Sequence, residues 1–295
     1  VTATERGDLS TRWRRRLGGI GDEAALAVED QILVHQELGW PHLELRTVDG
    51  VALGDLPVRE VERIAGLLAD AGLRVPCLDS RIGNWARPIT YPFERELAEL
   101  DAMIAAARLL GARYVRVMSF PNDGLSESAW AAETVRRFGI LVRRAQEHDI
   151  VLLHENCSGW AGESAKRAVR LVEEVDSPSL RVLFDVGNPV AHGYDGAEYL
   201  AEIVGWVRHT HLKDALPPRD GHDAVFTAPG EGVAGLTDRL ATLLAAGYRG
   251  VFCVEPHLAV LPHAGRRADP AVVRSAYLDY GRRLEAVLAA LDVAP

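Results

Sequence analysis

The chain is poor in cysteine. Cys77, Cys157 and Cys253 lie far apart in 295 residues with no CxxC pair. That excludes a disulfide framework and a thiol-rich structural zinc site, and it suits a reducing compartment. Positive charge is also short, with 33 Lys and Arg against 42 Asp and Glu and a formal net charge of -9. Phosphate backbones and anionic lipids need clustered cations, so nucleic-acid and membrane-surface partners are not expected. No apolar run approaches the roughly 20 residues that span a bilayer. The basic group Arg12, Arg14, Arg15 and Arg16 is not followed by an apolar stretch of the secretory kind, so a cytoplasmic protein is expected. Gly18, Gly19 and Gly21 miss the GxGxxG spacing, and Gly230–Gly232 lacks the Lys-Ser/Thr of a P-loop, which leaves nucleotide binding without support.

What is present is a regular alternation. Residues 1–16 lack apolar periodicity and read as a flexible N-terminal arm, with Trp13 able to pin it to the body. From Leu17 onward, short apolar runs alternate with helical patterns. Strands are expected at Leu17–Gly21, His42–Arg46, Arg74–Asp79, Tyr114–Ser119, Val151–Glu155, Val182–Asp185, Val207–His211 and Val251–Glu255. Helices follow each strand, the first two near Glu23–Leu38 and Val58–Ala71 and the last near Pro270–Leu291. Gly39 and Gly111 act as stop signals. No composition break marks a second domain, so residues 17–295 are expected to form a single (β/α)8 TIM barrel of the α/β class. Two connections are long, Ser80–Pro92 and Leu212–Gly232. The first, with Trp85 and Arg87, is the candidate lid or partner contact.

Four successive strands, the fifth to the eighth, end in Glu155, Asp185, His211 and Glu255. In a barrel these tips meet at the C-terminal mouth, where active sites form. One such carboxylate is most often a helix cap or a surface charge, and Asp185 ahead of Gly187 and Asn188 would suit a turn. Four in a row are hard to assign to coincidence. Three carboxylates and an imidazole suit Mn²⁺, Mg²⁺ or Co²⁺, and without an ion at least one carboxyl should keep its proton. Residues two apart on a strand share a face. This places Arg46 with Glu44, Lys213 and His209 with His211, His257 with Glu255, and Arg181 beneath Asp185. Arg46, Lys213 and His257 thereby become candidate substrate contacts, while His209 reads first as a hydrogen-bonded core residue. Trp85, Phe120 and Trp160 fall in loops at the mouth, where aromatic rings either stack on a ligand or cap the barrel.

These residues also carry a resemblance. HEN at His154–Asn156, FDVGN at Phe184–Asn188, HLKD at His211–Asp214, PGEG at Pro229–Gly232 and EPH at Glu255–His257 resemble the xylose isomerase-like barrel superfamily. More narrowly they look like its sugar-phosphate isomerase/epimerase members, which include ketose 3-epimerases and inosose isomerases and dehydratases. The resemblance runs from Leu43–Arg46 onward. It implies that Glu155, Asp185, His211 and Glu255 bind the metal, commonly Mn²⁺, and that Glu155 and Glu255 act as acid and base on opposite faces of a bound keto-sugar. Many epimerases of this group place a substrate-contacting His where this chain has Asn188, which puts Asn188 among the candidate contacts. Their Arg after the His ligand has only Arg219 as a counterpart.

The leading expectation is therefore a metal-dependent isomerase or epimerase of a small carbohydrate, working through an enediolate. A lyase on the same site is the runner-up, since loss of a β-leaving group from that enediolate gives dehydration or glycoside cleavage. The AP endonuclease branch uses more His ligands and a basic face; here Arg46, Asp79 and Ser119 end the second to fourth strands. A non-catalytic barrel subunit would have no need of clustered carboxylates. Free sugar, phosphosugar, cyclitol and glycoside stay open as substrates, though no phosphate-binding loop stands out. Members of the family often assemble through their helical faces, so a homo-oligomer falls within expectation.

Overall fold

Eight parallel strands form the centre of the computed structural model, which describes residues 13–219 and 223–291. They are β1 (Leu17–Ile20), β2 (His42–Glu44), β3 (Cys77–Asp79), β4 (Tyr114–Ser119), β5 (Val151–Gly159), β6 (Leu180–Asp185), β7 (Val207–Leu212) and β8 (Phe252–Val254). Their hydrogen-bonded order is β2-β1-β8-β7-β6-β5-β4-β3. Parallel bridges between β2 and β3 close the ring, where Leu43 N donates to Arg74 O at 3.0 Å and Asp79 N to Leu45 O at 2.9 Å. The chain is a single (β/α)8 barrel.

Strands buried on both faces read as near-continuous apolar runs, and here alternation decides which side each residue serves. Leu152, Val182 and Phe184 pack outward into the large core shared with the helices. Val151, Leu153 and Leu183 turn inward and meet Cys77 in a small cluster inside the barrel. Continuing that period brings Glu155 and Asp185 to the inner side at the C-terminal end. The core that sets the strands thus aims the acids.

The outer ring is α1 (Val28–Leu38), α2 (Val58–Asp70), α3 (Phe93–Leu110), α4 (Glu127–Gln146), α5 (Ala165–Val175), α6 (Gly196–Ile203), α7 (Leu236–Ala245) and α8 (Pro270–Leu291). α1 and α3 end on Gly39 and Gly111 at φ of 70° and 67°, a left-handed turn that favours glycine. The helix expected from Glu23 begins only at Val28, because Gly21–Glu23 form a 3-10 turn that carries Asp22 and Glu23 into the mouth. The connection Leu212–Gly232 is also more ordered than expected. It contains an antiparallel hairpin of Asp214–Leu216 with Val225–Thr227, and Asp214 accepts hydrogen bonds from Gly230, Gly232 and Ala234.

The N-terminal arm needs correction for its last residues. Trp13 is buried, with its ring 6.1 Å from that of Phe252. Arg14 binds Glu285 through two nitrogens, at 3.1 and 2.9 Å, and Arg16 donates to the carbonyls of Tyr248 and Gly250. Residues 13–16 therefore belong to the barrel floor; residues 1–12 lie outside the described residues. Among the described residues no helix is long and apolar enough to cross a membrane.

The Ser80–Pro92 loop is tied down along much of its length. Arg81 pairs with Asp55 and Glu99, Arg87 lies 2.5 Å from Glu99, and Ile82 and Ile89 are buried. Beneath it, Glu96 accepts from Gly83 N but leaves Oε1 buried without a partner. Burial, helped by Glu99 and opposed by Arg87, pushes the Glu96 carboxyl from 4.5 up to about 7. The folded chain then holds a proton that the unfolded chain has released, so this stabilisation is present below pH 4.5 and is lost as pH rises through about 7. Wild type is expected to lose more of its urea midpoint over that window than Glu96→Gln does. Equal losses would show that Glu96 does not titrate there.

Candidate functional site

The C-terminal ends of β5 to β8 bring Glu155, Asp185, His211 and Glu255 together, each offering one donor atom within 4.8 Å of the others. All four are buried. His211 Nδ1 lies 3.7 Å from Glu155 Oε1 and 3.6 Å from Glu255 Oε2, beyond hydrogen-bond length. That nitrogen is buried without a hydrogen-bond partner, and Asp185 Oδ2 has only the Lys213 ammonium, 3.1 Å away. Buried polar atoms rarely stay unpaired. Oxygen and imidazole donors converging in this way form a set that fits a divalent cation.

Each member is held by residues behind it. Asp185 Oδ1 accepts from the backbone N–H groups of Gly187 and Asn188 at 2.8 and 2.7 Å, which fixes the carboxylate plane. Gly187 is needed there, since a Cβ would stand 2.3 Å from Lys213 Cγ. Behind His211 lies Glu44, fully buried, its Oε1 3.0 Å from His211 Nε2 and its Oε2 2.7 Å from His209 Nε2. A carboxylate on Nε2 leaves Nδ1 facing the cluster. His209, expected as a hydrogen-bonded core residue, fills that role on the far side of Glu44.

Three cations oppose the acids. Arg116 Nη1 meets Glu155 Oε2 at 2.9 Å, and its Nε lies 3.2 Å from Asp79 Oδ1. Arg46 reaches Glu255 Oε1 at 2.8 Å, Asp22 at 2.7 Å and Glu23 at 3.1 Å. Lys213 Nζ lies 2.6 Å from Glu255 Oε2 and 3.1 Å from Asp185 Oδ2. Burial raises every carboxyl in the group, and the neighbours decide the outcome. Arg116 and His211 overcome it at Glu155, held down to about 2, and Lys213 and His257 hold Glu255 well below the ordinary range. At Asp185 burial prevails over Lys213 and the carboxyl rises to about 6. Of the three acids, this one keeps a proton most readily.

A cavity of about 680 Å³ opens above the cluster, lined by Arg46, Asn188, Lys213, His257 and Trp85 among others. Asn188 Nδ2 donates to Glu155 Oε1 at 3.2 Å. His257, at φ 52°, donates its backbone N–H to Glu23 Oε2 and holds Nδ1 against Glu23 Oε1, both at 2.7 Å, which turns Nε2 toward Glu255 at 3.8 Å. Trp85 is 43% exposed at the rim. Phe120 and Trp160 do not line the cavity; both are buried and cap the barrel, Trp160 Nε1 bonding Glu127. Arg181 donates to Ser177 O and Leu180 O, at the opposite end of β6 from Asp185. Arg219 is exposed and outside the lining. His154 faces away from the cluster, against the Phe138 ring.

Sequence reasoning did not find Asp22, Glu23, Glu44, Asp79 or Arg116 as site residues. Three had a readable signal. Glu44 sits two positions before Arg46, Asp79 ends the third strand, and Arg116 falls on the inward register between the outward Val115 and Val117. Asp22 and Glu23 had none, because a 3-10 turn gives no strand or helix period.

Residues 34–276 match the family model of the xylose isomerase-like TIM barrel. The 2-epi-5-epi-valiolone 7-phosphate 2-epimerase of Actinoplanes sp. is 35% identical over 226 residues, 76% of this chain and 77% of the relative. An inosose dehydratase of Geobacillus thermodenitrificans is 32% identical over 124 residues, 38% of this chain and 42% of the relative. The crystal structure of a xylose isomerase domain protein from Planctomyces limnophilus superposes with a TM-score of 0.76 at 21% identity, covering 95% of this chain and 99% of that one. The last likeness speaks to fold alone.

The Glu44–His211 contact makes a prediction of its own. Losing a carboxylate behind a ligating imidazole typically costs about 10–100-fold in metal affinity. Glu44→Gln is expected to weaken Mn²⁺ binding to that extent in a calorimetric titration, with the circular dichroism spectrum unchanged. Unaltered affinity would remove Glu44 from the site.

Proposed function

The chain belongs to the xylose isomerase-like TIM-barrel family, and on that premise we propose that it is a divalent-metal-dependent isomerase or epimerase of a sugar, keto-sugar or cyclitol. The observation that carries this reading is the convergence of Glu155, Asp185, His211 and Glu255 with the buried, unpaired Nδ1 of His211 among them. These four would hold the cation, Mn²⁺ by preference and Mg²⁺ or Co²⁺ as alternatives. When bound, the ion supplies Lewis acidity toward a substrate carbonyl and its neighbouring hydroxyl.

The proton transfers fall to the chain's own carboxylates. Glu155 and Glu255 are both held ionised, so either can accept the proton on the carbon beside the carbonyl. The other, having taken a proton from solvent before the substrate is seated, delivers it from the opposite face and the carbon inverts. The first glutamate then releases its proton to solvent, which restores both charges. Lys213 stands where negative charge gathers on the substrate oxygens and opposes that charge. Arg46 and Arg116 keep the two glutamates in position, Asn188 and His257 face the reacting groups, and Trp85 offers a ring for the sugar. Burial of the cluster excludes water from the carbanionic stage.

A lyase reading is favoured by one specific observation, the inosose dehydratase relative. It begins with the same proton removal and diverges only when a β-hydroxyl or glycosidic oxygen departs before reprotonation. The name of the epimerase relative, which matches over far more of the chain, sets epimerisation first.

Proton NMR in D₂O tests the reading. Metal-loaded protein is expected to wash one deuterium into a keto-sugar or inosose beside its carbonyl. Chelation should abolish the exchange, and Glu255→Gln should slow it by about 10²–10⁴-fold, the usual contribution of a positioned acid or base. Product analysis separates epimer from dehydrated product. Exchange that survives both chelation and the substitution would overturn the proposal.

A further inference from the structure

We infer that the floor of the barrel, at the opposite end from the acidic mouth, carries a binding site for a small phosphate monoester. The inference is independent of the isomerase reading above.

The chain has 42 acidic against 33 basic residues, so a sizeable concave surface without a carboxylate stands out. One lies where the strands begin. His42 opens β2, Pro76 precedes β3, Tyr114 opens β4, Val207 opens β7 and Val251 precedes β8, and together they border a cavity of about 740 Å³. Arg74, Arg208, Arg249, His42 and His209 line it, and no Asp or Glu does. His209 is engaged by Glu44 through Nε2, so recognition falls to the three arginines and His42.

The fold does not use these arginines up. The guanidinium groups of Arg74 and Arg249 make no hydrogen bond or ion pair among the described residues. Arg208 donates through Nη1 alone, to Gly205 O and Val207 O at 3.0 and 2.8 Å. All three are exposed at the edge of the cavity. Cations beside helix C-termini often serve only to oppose the helix dipole. Here the carbonyls that would call for them are already taken. Those at the end of α7 accept from the backbone N–H groups of Ala246, Gly247 and Tyr248 at 2.9–3.0 Å, and Ala107 O in α3 accepts from Ala112 N at 3.0 Å.

The local field is positive and unopposed. His42 holds Nε2 3.3 Å from Arg15 O, while its Nδ1 is buried without a partner. Burial lowers this imidazole from its ordinary value, and the nearby Arg74 lowers it further. Burial and then Arg208 do the same to the Arg181 guanidinium near the start of β6. An anion relieves like charges held together in this way.

Phosphate suits three guanidinium groups, because each presents a planar fork of donors to two oxygens. The cavity is far larger than a bare phosphate, and Val75, Val204 and Tyr114 give it apolar wall. That room and that wall call for an organic group on the phosphate, hence a monoester.

The test is calorimetric titration of the full chain with phenyl phosphate, inorganic phosphate and phenol. Phenyl phosphate is expected to bind saturably and more tightly than inorganic phosphate, and phenol is expected not to compete. Arg74→Gln combined with Arg249→Gln should weaken the ester at least about tenfold, since each charge-assisted hydrogen bond is worth about that factor. Both positions are exposed, and the circular dichroism spectrum of the double variant should match wild type. Undiminished binding in the double variant would place the anion elsewhere and overturn the site, as would no saturable binding of phenyl phosphate. Inorganic phosphate binding as tightly as the ester, or competition by phenol, would overturn the monoester class. None of these outcomes bears on proton exchange at the mouth, which is measured separately.

Discussion

The buried excess of carboxylate at the barrel mouth is the constraint on which the rest of the site depends. Ionised acids cannot be taken from water without partners. Here Arg46, Arg116 and Lys213 are drawn deep into the barrel to meet them, although arginine on the outer surface would have been cheaper. Where those cations do not suffice, a carboxyl rises, as Asp185 does to about 6. The arrangement is one that a divalent cation would complete, and it explains why the pairs converge rather than scatter over the surface.

Positioning in this molecule works in layers. The outward residues of each strand lock it against the helices, and the period-two register then aims the next residues inward. Behind the four converging side chains stand Glu44, Arg116 and the backbone N–H groups after Asp185, and behind Glu44 stands His209. Even the first strand contributes, through Asp22 and Glu23 on the turn that follows it. A change in any layer is felt at the mouth through contacts named above, with no need for a moving part.

Much of this was legible in the sequence, and what was missed has a physical reason. Strict strand–helix alternation and the stops at Gly39 and Gly111 gave the barrel, because helix and strand periods survive in single segments. Glu155, Asp185, His211 and Glu255 stood out because each ends an apolar run. Lys213 and His257 followed from alternation, and both face the cavity, His257 doing so through a left-handed backbone that no alternation rule describes. Trp13, expected to pin the arm to the body, does so by packing on Phe252. The aromatics Phe120 and Trp160 showed the opposite limit: composition placed them in mouth loops but could not say that they point into the core. Pairings across the ring, such as Arg46 with Glu23 or Arg116 with Glu155, depend on closure and leave no local trace.

Four strand tips are proposed to form one cation site. Anomalous diffraction from crystals soaked in Mn²⁺ measures this most directly, because it locates the ion without reference to activity. A single strong peak is expected, bounded by Glu155, Asp185, His211 Nδ1 and Glu255, with Lys213 Nζ moved off at least one of its two carboxylates. No peak there, or a peak elsewhere with Lys213 still bridging Asp185 and Glu255, would contradict it.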